Sequence, residues 1–129
     1  MGVYGLDQDR TKELDPVREL AQARELRVFL RTVGDTVRLQ ILRRLALNGE
    51  MSVTELAQAL HISQPLLSWH LGVLRRIDLV SVRRDGRLVF YSLNLPVLRR
   101  LNERFAAWVG DMAWASDAPE RKENAQQYG

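Results

Sequence analysis

Apolar residues recur every three or four positions over two N-terminal stretches of the chain, with charged residues between them. This spacing predicts one helix from about Lys12 to Val33 and a second from a cap at Asp35 to a stop at Asn48-Gly49. Gly34 separates them, because glycine is favoured just past the end of a helix. The pattern therefore places two helices before the rest of the chain.

Two shorter helices follow, and a tight turn joins them. Ser52 and Glu55 have the spacing of a capping box and predict a helix over about 52–60. That helix breaks at His61-Ile62, and Ser63 caps the next one, whose first turn tolerates Pro65 because its N–H groups have no helical partners. Within this fourth helix a narrow apolar stripe is formed by Leu67, Leu71 and Leu74.

A hairpin and one more helix complete the pattern. Two β-rich runs, 79–84 and 87–93, flank Asp85-Gly86, a pair typical of hairpin turns because glycine readily takes positive φ. A final helix is predicted over about 95–115. Its apolar face carries Leu98, Leu101, Phe105, Trp108, Val109 and Met112.

This order of elements predicts a winged helix-turn-helix, mainly α with a two-stranded β-wing. The 129 residues suit one domain, predicted over 12–115. Residues 1–11 and 116–129 carry little apolar material and are predicted as a flexible N-terminal arm and C-terminal tail.

The composition limits where in the cell the protein is expected and which chemistry its side chains can carry out. No stretch approaches the roughly 18 apolar residues of a membrane span, and the first thirty residues lack the order of a signal peptide, so we expect no membrane partner and a cytoplasmic protein. The chain has no cysteine. This excludes disulfides, thiolate metal sites, iron–sulfur clusters and cysteine nucleophiles.

Positive charge is concentrated in the middle of the chain. The net charge is only +3, but residues 24–104 contain fourteen arginines against seven acids. The planar guanidinium suits phosphate oxygens and base edges better than an ammonium does. Nucleic acid is therefore the partner class that the charge pattern favours.

Three motifs occur in register over about sixty residues. They are Gly34-Asp35-x-x-Arg38-Leu39-x-Ile41-Leu42, Leu56-Ala57-x-x-Leu60-x-Ile62-Ser63-Gln64-Pro65-x-x-Ser68-x-His70-Leu71-x-x-Leu74, and Arg83-x-x-Gly86-Arg87-x-x-x-Tyr91. Together they closely resemble the ArsR/SmtB family of winged-helix repressors. The resemblance implies a homodimer, paired through its first and last helices, that blocks transcription at a double-stranded DNA operator and releases it when an inducer binds. We assign the dimer seam to Leu14, Val17, Leu20, Leu98, Leu101, Phe105, Trp108 and Met112.

The fourth predicted helix has a face suited to reading DNA. Opposite its leucine stripe lie polar, aromatic and basic residues and no acid. Gln64 and Ser68 have hydrogen-bonding groups that can read base edges in a major groove, and the helix N-terminus favours phosphate. The predicted DNA-binding residues are Ser63, Gln64, Pro65, Ser68, Trp69, Arg75 and Arg76, with Arg83, Arg84 and Arg87 from the wing.

Two residues beside this face have a second interpretation. His70 borders the leucine stripe, so a packed, hydrogen-bonded histidine competes with a DNA contact or a ligand role. Trp69 stands where the family more often has a polar or basic contact, and it either lies against the sugar-phosphate backbone or marks a protein contact. The arginine pairs at 43–44 and 99–100 are predicted to be solvated helix faces.

The metal sites known in this family can be compared with this sequence position by position. The matching residues are Ser52 and Thr54 for the third-helix type, and Leu95, Val97, Trp108 and Asp111 for the last-helix type. Neutral hydroxyls are poor ligands for soft metals, and a single carboxylate does not make a zinc or nickel site. No metal or cofactor is predicted. The aromatic residues of the last helix favour a dimer seam. The other interpretation is a pocket for a small organic inducer between the first and last helices.

The predicted function is a sequence-specific repressor with a non-metal signal. Two alternatives remain open: a DNA-binding silencing protein without an inducer, and a winged-helix protein-interaction module. An enzyme is not predicted, because the sequence has no glycine-rich phosphate loop, no nucleophile elbow and no histidine–carboxylate cluster.

Overall fold

A computed structural model describes residues 14–110, which form five helices and a small antiparallel sheet. In chain order the elements are α1 (Pro16–Val33), α2 (Thr36–Asn48), β1 (Met51–Ser52), α3 (Val53–Leu60), α4 (Gln64–Arg76), β2 (Val80–Asp85) and β3 (Leu88–Leu93). A last helix, α5, covers 95–110. The predicted winged helix-turn-helix is thereby confirmed. The predicted arm and tail, and the end of the last helix, lie outside the described residues.

The helix ends follow the capping residues in the sequence. Asp35 accepts from the Arg38 amide at 3.0 Å, and Ser52 and Glu55 form both hydrogen bonds of the predicted capping box. α1 begins at Pro16 rather than at Lys12, because Asp15 caps it and proline fits the first helical position. Gly34 ends α1, and its amide donates a hydrogen bond to the Leu30 carbonyl. A Cβ on Gly34 would lie 2.8 Å from that oxygen, so the close approach requires glycine.

The sheet has three strands rather than the two expected, in the order β1-β3-β2. The added strand, β1, pairs Met51 with Tyr91 and Ser52 with Phe90. Two residues are too few to show an alternating pattern, so hydrophobic periodicity could not predict this strand. The wing turn is also one residue later than predicted: Asp85 pairs with Leu88, and the loop consists of Gly86 and Arg87. Positive φ at its first residue only, 59° at Gly86, is the type II′ pattern.

The core lies where α2, α3 and α4 meet the base of the wing. Its fully buried side chains are Ile41, Leu45, Leu56, Leu67, Leu71, Leu74 and Leu79. All three leucines of the predicted α4 stripe are among them, so the opposite face of α4 is turned outward. Within residues 14–110, no helix combines the length and the apolar character needed to cross a membrane.

Candidate DNA-binding site

The turn between α3 and α4 fixes the orientation of the candidate reading helix. His61 takes a left-handed conformation (φ 55°, ψ 44°), and the next amide, that of Ile62, donates to the Ala57 carbonyl at 3.2 Å. Such a residue closes a helix by satisfying its last carbonyls. Two residues later the Ser63 hydroxyl accepts from the Leu66 amide at 3.3 Å and starts α4. The amides in the first turn of α4 consequently lie at an exposed end of the helix-turn-helix.

The outer face of α4 is exposed along its whole length. Ser63, Gln64, Pro65, Ser68, Trp69, Arg75 and Arg76 are all exposed, as the sequence predicted for this face. Within the described residues, the Gln64 side chain forms a hydrogen bond to another side chain, since its amide Nε2 donates to the Thr54 hydroxyl of α3 at 3.2 Å. To read a base, Gln64 would exchange this exposed bond for one to DNA.

His70 is a structural residue. Its side chain is buried, and its Nδ1 lies 3.1 Å from a guanidinium nitrogen of Arg38. Arginine can only donate, so in this contact Nδ1 is the acceptor, and it also lies 3.7 Å from a carboxylate oxygen of Asp35. The packed, hydrogen-bonded interpretation of His70 is confirmed.

Arg38 links the start of α2 to the end of α1 and to α4. Its guanidinium donates to the carbonyls of Thr32 at 2.6 Å and of Arg31 at 3.3 Å, in addition to His70. The hydrogen bond from its amide, helped by its positive charge, lowers the pKa of Asp35 below the ordinary 3.8. The motif Gly34-Asp35-x-x-Arg38 therefore links the junction of α1 and α2 to the buried side of α4.

Trp69 projects from α4 with 58% of its surface exposed. Its ring stands edge-on to His70, with centroids 5.0 Å apart and planes at 73°, and the Arg38 guanidinium carbon lies 5.9 Å from its centroid. The buried network beneath it orients the indole while leaving its outer surface open.

The wing arginines are in two environments. Arg83, Arg84 and Arg87 are all exposed, but Arg83 also binds Glu50 through two guanidinium nitrogens, the shorter contact being 2.7 Å. Its guanidinium carbon also lies 4.6 Å from the centroid of Phe90, the residue opposite it in the sheet. This pairing lowers the pKa of Glu50 and raises that of Arg83. Glu50 was missed by sequence reasoning, because 33 residues separate it from Arg83 and no motif connects them.

The residues predicted for a dimer seam fall into two groups. Leu14, Val17, Leu20 and Trp108 are exposed, and Phe105 is half-buried. Leu98 and Leu101 are half-buried and also pack against the core of their own chain. Met112 lies outside the described residues. Within the chain, α1 and α5 are joined by a hydrogen bond from the Trp108 indole to Gln22 at 3.1 Å and by a salt bridge from Arg104 to Glu25 at 3.0 Å.

The positions that match the family's two types of metal site can also be located in the structure. In residues 14–110, no three histidine, aspartate or glutamate side chains cluster in a way that could hold a metal ion. Asp111 lies beyond that range. Thr54 occupies one of the positions where the family has a thiolate, and its hydroxyl is the group that accepts from Gln64.

Comparisons with known proteins match this geometry. The model of the family described as "Bacterial regulatory protein, arsR family" matches residues 35–82. The biofilm growth-associated repressor of Agrobacterium fabrum is 41% identical over 86 residues, 67% of this chain and 73% of that protein. The transcriptional activator HlyU of Vibrio cholerae is 42% identical over 76 residues, 59% of this chain and 69% of that protein.

The fold is also similar to that of a solved structure. The crystal structure of NolR from Sinorhizobium fredii superposes with a TM-score of 0.60 at 35% identity, covering 75% of this chain and 95% of that one. The family model spans the helix-turn-helix, and the relatives are transcription regulators rather than enzymes. The chain belongs to the ArsR family of DNA-binding transcription regulators.

Proposed function

We propose that this protein is a homodimeric repressor that binds its operator through α4 and the wing and that responds to a signal other than a metal ion. The observation that carries the proposal is the outer face of α4, which is exposed, contains no acid, and presents Gln64, Ser68 and Trp69 beside basic residues. A helix of this kind fits the major groove, where amide and hydroxyl groups can bond to base edges.

In the proposed mechanism, different residues provide specificity and affinity. Gln64 and Ser68 read base edges, while Arg75, Arg76, Arg84 and Arg87 contact phosphates and supply affinity that is independent of sequence. Repression follows from occlusion, since a protein seated on promoter DNA excludes the polymerase. The named relatives include a repressor and an activator, so the direction of regulation is itself part of the proposal.

A dimer is supported by apolar residues that remain exposed on α1 and α5. Val17 is 78% and Leu14 60% exposed, although both are large and apolar. Leu14, Trp108 and Val109 also line a concavity of about 440 Å³ between the two helices. Exposed apolar surface of this kind is typical of an interface, and a two-fold dimer would present two reading helices to a two-part operator.

A non-metal signal is supported by the side chains at both family metal positions. The described positions hold hydroxyl or apolar groups where a soft metal needs thiolates or imidazoles. A mainly apolar concavity of about 410 Å³ lies between α1 and α5; Leu26, Leu30, Phe105 and Trp108 line it together with Ala23, Arg27 and Arg31, and it would suit a small organic inducer.

The test measures binding to the DNA upstream of the protein's own gene. Fluorescence anisotropy is recorded against scrambled DNA of equal length, over a salt series, with and without one equivalent of Zn²⁺, Ni²⁺ or Cd²⁺. We expect preference for the upstream DNA that metal does not alter, and reduced transcription from that promoter in a purified system. Loss of operator affinity on uptake of one metal ion would contradict the non-metal signal. Activation of transcription would contradict repression.

A further inference from the structure

A basic groove runs between the C-terminal half of α1 and the reading helix α4. It has a volume of about 390 Å³, and its lining contains no acid. Five arginines contribute to it: Arg24, Arg27, Arg31, Arg38 and Arg76. So many guanidinium groups around one groove repel each other unless an anion lies among them.

Four of these arginines are available to a ligand. Arg38 is committed to carbonyls and to His70, as described above. Arg24, Arg27, Arg31 and Arg76 are exposed, and none of them forms a salt bridge with an acid in residues 14–110. The three on α1, at spacings of three and four residues, form one ridge along the helix, which we call the α1 arginine ridge (Arg24, Arg27 and Arg31).

The position of the groove relative to the reading face is fixed by two contacts of α4. Gln64 faces α3 through its bond to Thr54, whereas Val73 lines the groove beside α1. Nine residues at about 100° each place Gln64 and Val73 on opposite sides of α4. The α1 arginine ridge therefore flanks the reading helix on the side away from α3. Trp69 and Arg76 belong to both the reading face and the groove.

A helix in the major groove of DNA lies between two sugar-phosphate backbones, because its diameter nearly equals the groove width of about 12 Å. We propose that the α1 arginine ridge binds the phosphates of one of these backbones, with Trp69 packed against its sugars. The DNA-binding surface then extends beyond the helix-turn-helix and wing onto α1. This inference rests on the proposed binding of DNA through α4.

The test compares two variants that remove the same charge from different faces. Arg24→Gln/Arg31→Gln removes two arginines of the ridge. Arg43→Gln/Arg44→Gln is the matched control, since both residues are exposed on α2 and line a separate concavity with Gln40 and Leu47. Affinity for upstream and scrambled DNA is measured by anisotropy over a salt series, and light scattering checks that each variant keeps the oligomeric state of the unmodified protein.

We expect the ridge variant to lose affinity for both DNAs by about tenfold or more, because phosphate contacts are independent of sequence. The slope of log affinity against log salt should flatten by about two to four units for the dimer, near one unit for each phosphate that the variant no longer binds. The α2 control should change the slope by less than about one unit.

Equal affinities and slopes for the two variants would overturn the inference while leaving operator binding intact. Binding of inorganic phosphate that the ridge variant loses, together with a salt slope for DNA that the ridge variant leaves unchanged, would assign the groove to a small anion and would also overturn the inference. An unmodified protein that binds both DNAs alike contradicts only the proposed operator preference. Absence of any DNA binding would overturn both the proposed function and the inference about the α1 arginine ridge.

Discussion

Arg83 and Arg87 differ in what each must give up to contact a phosphate. Arg83 is held by Glu50 and Phe90, whereas Arg87 is exposed in the wing loop and forms no salt bridge within the described part of the chain. We expect Arg87→Ala to weaken binding to all DNA and to flatten the salt slope by about one unit for each phosphate that this arginine binds. Anisotropy over a salt series measures both quantities.

The comparison for Arg83 needs a variant that preserves net charge. Glu50→Gln/Arg83→Ala removes the whole pair, and we expect a salt slope within about half a unit of the unmodified protein, because the guanidinium is already neutralised by Glu50. A flattening as large as that of Arg87→Ala would show that Arg83 leaves Glu50 to bind DNA. The sequence treats these arginines alike, since the distinction depends on a contact between residues 33 positions apart.

Glu55 makes the stability of α3 depend on pH. A hydrogen bond from the Ser52 amide to its carboxylate, with a further contribution from the nearby Ser52 hydroxyl, lowers the pKa of Glu55 from the ordinary 4.5. A depressed folded-state pKa contributes stability above the unfolded pKa and loses it as pH falls through the folded value. In Glu55→Gln the amide still accepts the capping bond but does not titrate. We therefore expect the stability difference between the two proteins to be largest near pH 7 and to shrink below pH 4.5.

Urea unfolding of both proteins at several pH values between about 7 and 3 measures this difference. Asp35 and Glu50 also have lowered pKa values, but they titrate in both proteins and cancel in the comparison. A difference that stays constant over this range would mean that the charge of Glu55 contributes nothing to the cap.

At the scale of elements, the boundaries that one residue can set were predictable from the sequence. Asp35, Ser52 and Ser63 begin α2, α3 and α4 as expected, because capping is a local interaction between a side chain and amides two or three residues away. The strand β1 was not predictable. It exists because β3 lies alongside it, and a two-residue strand carries no period of its own.

The reading helix yields a prediction that separates specificity from affinity. Gln64→Ala and Ser68→Ala should each relax operator preference about fivefold or more while leaving affinity for scrambled DNA nearly unchanged, since base contacts discriminate and phosphate contacts do not. The ratio of the two affinities, measured by anisotropy, gives the result. If both variants keep the full preference, another element reads the operator. Thr54→Val, which removes the bond that holds Gln64 to α3, is the control for an effect transmitted through that contact.

At the scale of the whole molecule, α1 connects the proposed seam to the proposed DNA surface. Leu20 lies one turn before Arg24, so the exposed apolar residues on the N-terminal half of α1 lead directly to the basic groove on its other half. The helical period of α1 was evident from the sequence. Which neighbour each face meets was not, because that depends on how α1 packs against α4 and α5.

The dimer seam gives the last prediction. Leu20 is 51% exposed on α1, and Leu47 is 67% exposed on α2, outside the proposed seam. In a two-fold dimer Leu20→Glu buries two unpaired carboxylates, each of which costs about several kcal/mol, so we expect dissociation to monomers. A monomer engages one half of the operator, and operator affinity should fall about 100-fold or more because the second contact is no longer tethered to the first.

Leu47→Glu adds the same charge and removes the same side chain, so it should leave both mass and affinity unchanged. Light scattering gives the mass and anisotropy gives the affinity on the same preparations. If Leu20→Glu keeps twice the chain mass, the seam lies elsewhere. If Leu20→Glu becomes monomeric and keeps its operator affinity, a single reading helix is sufficient for binding. The proposal that the dimer binds a two-part operator would then be wrong.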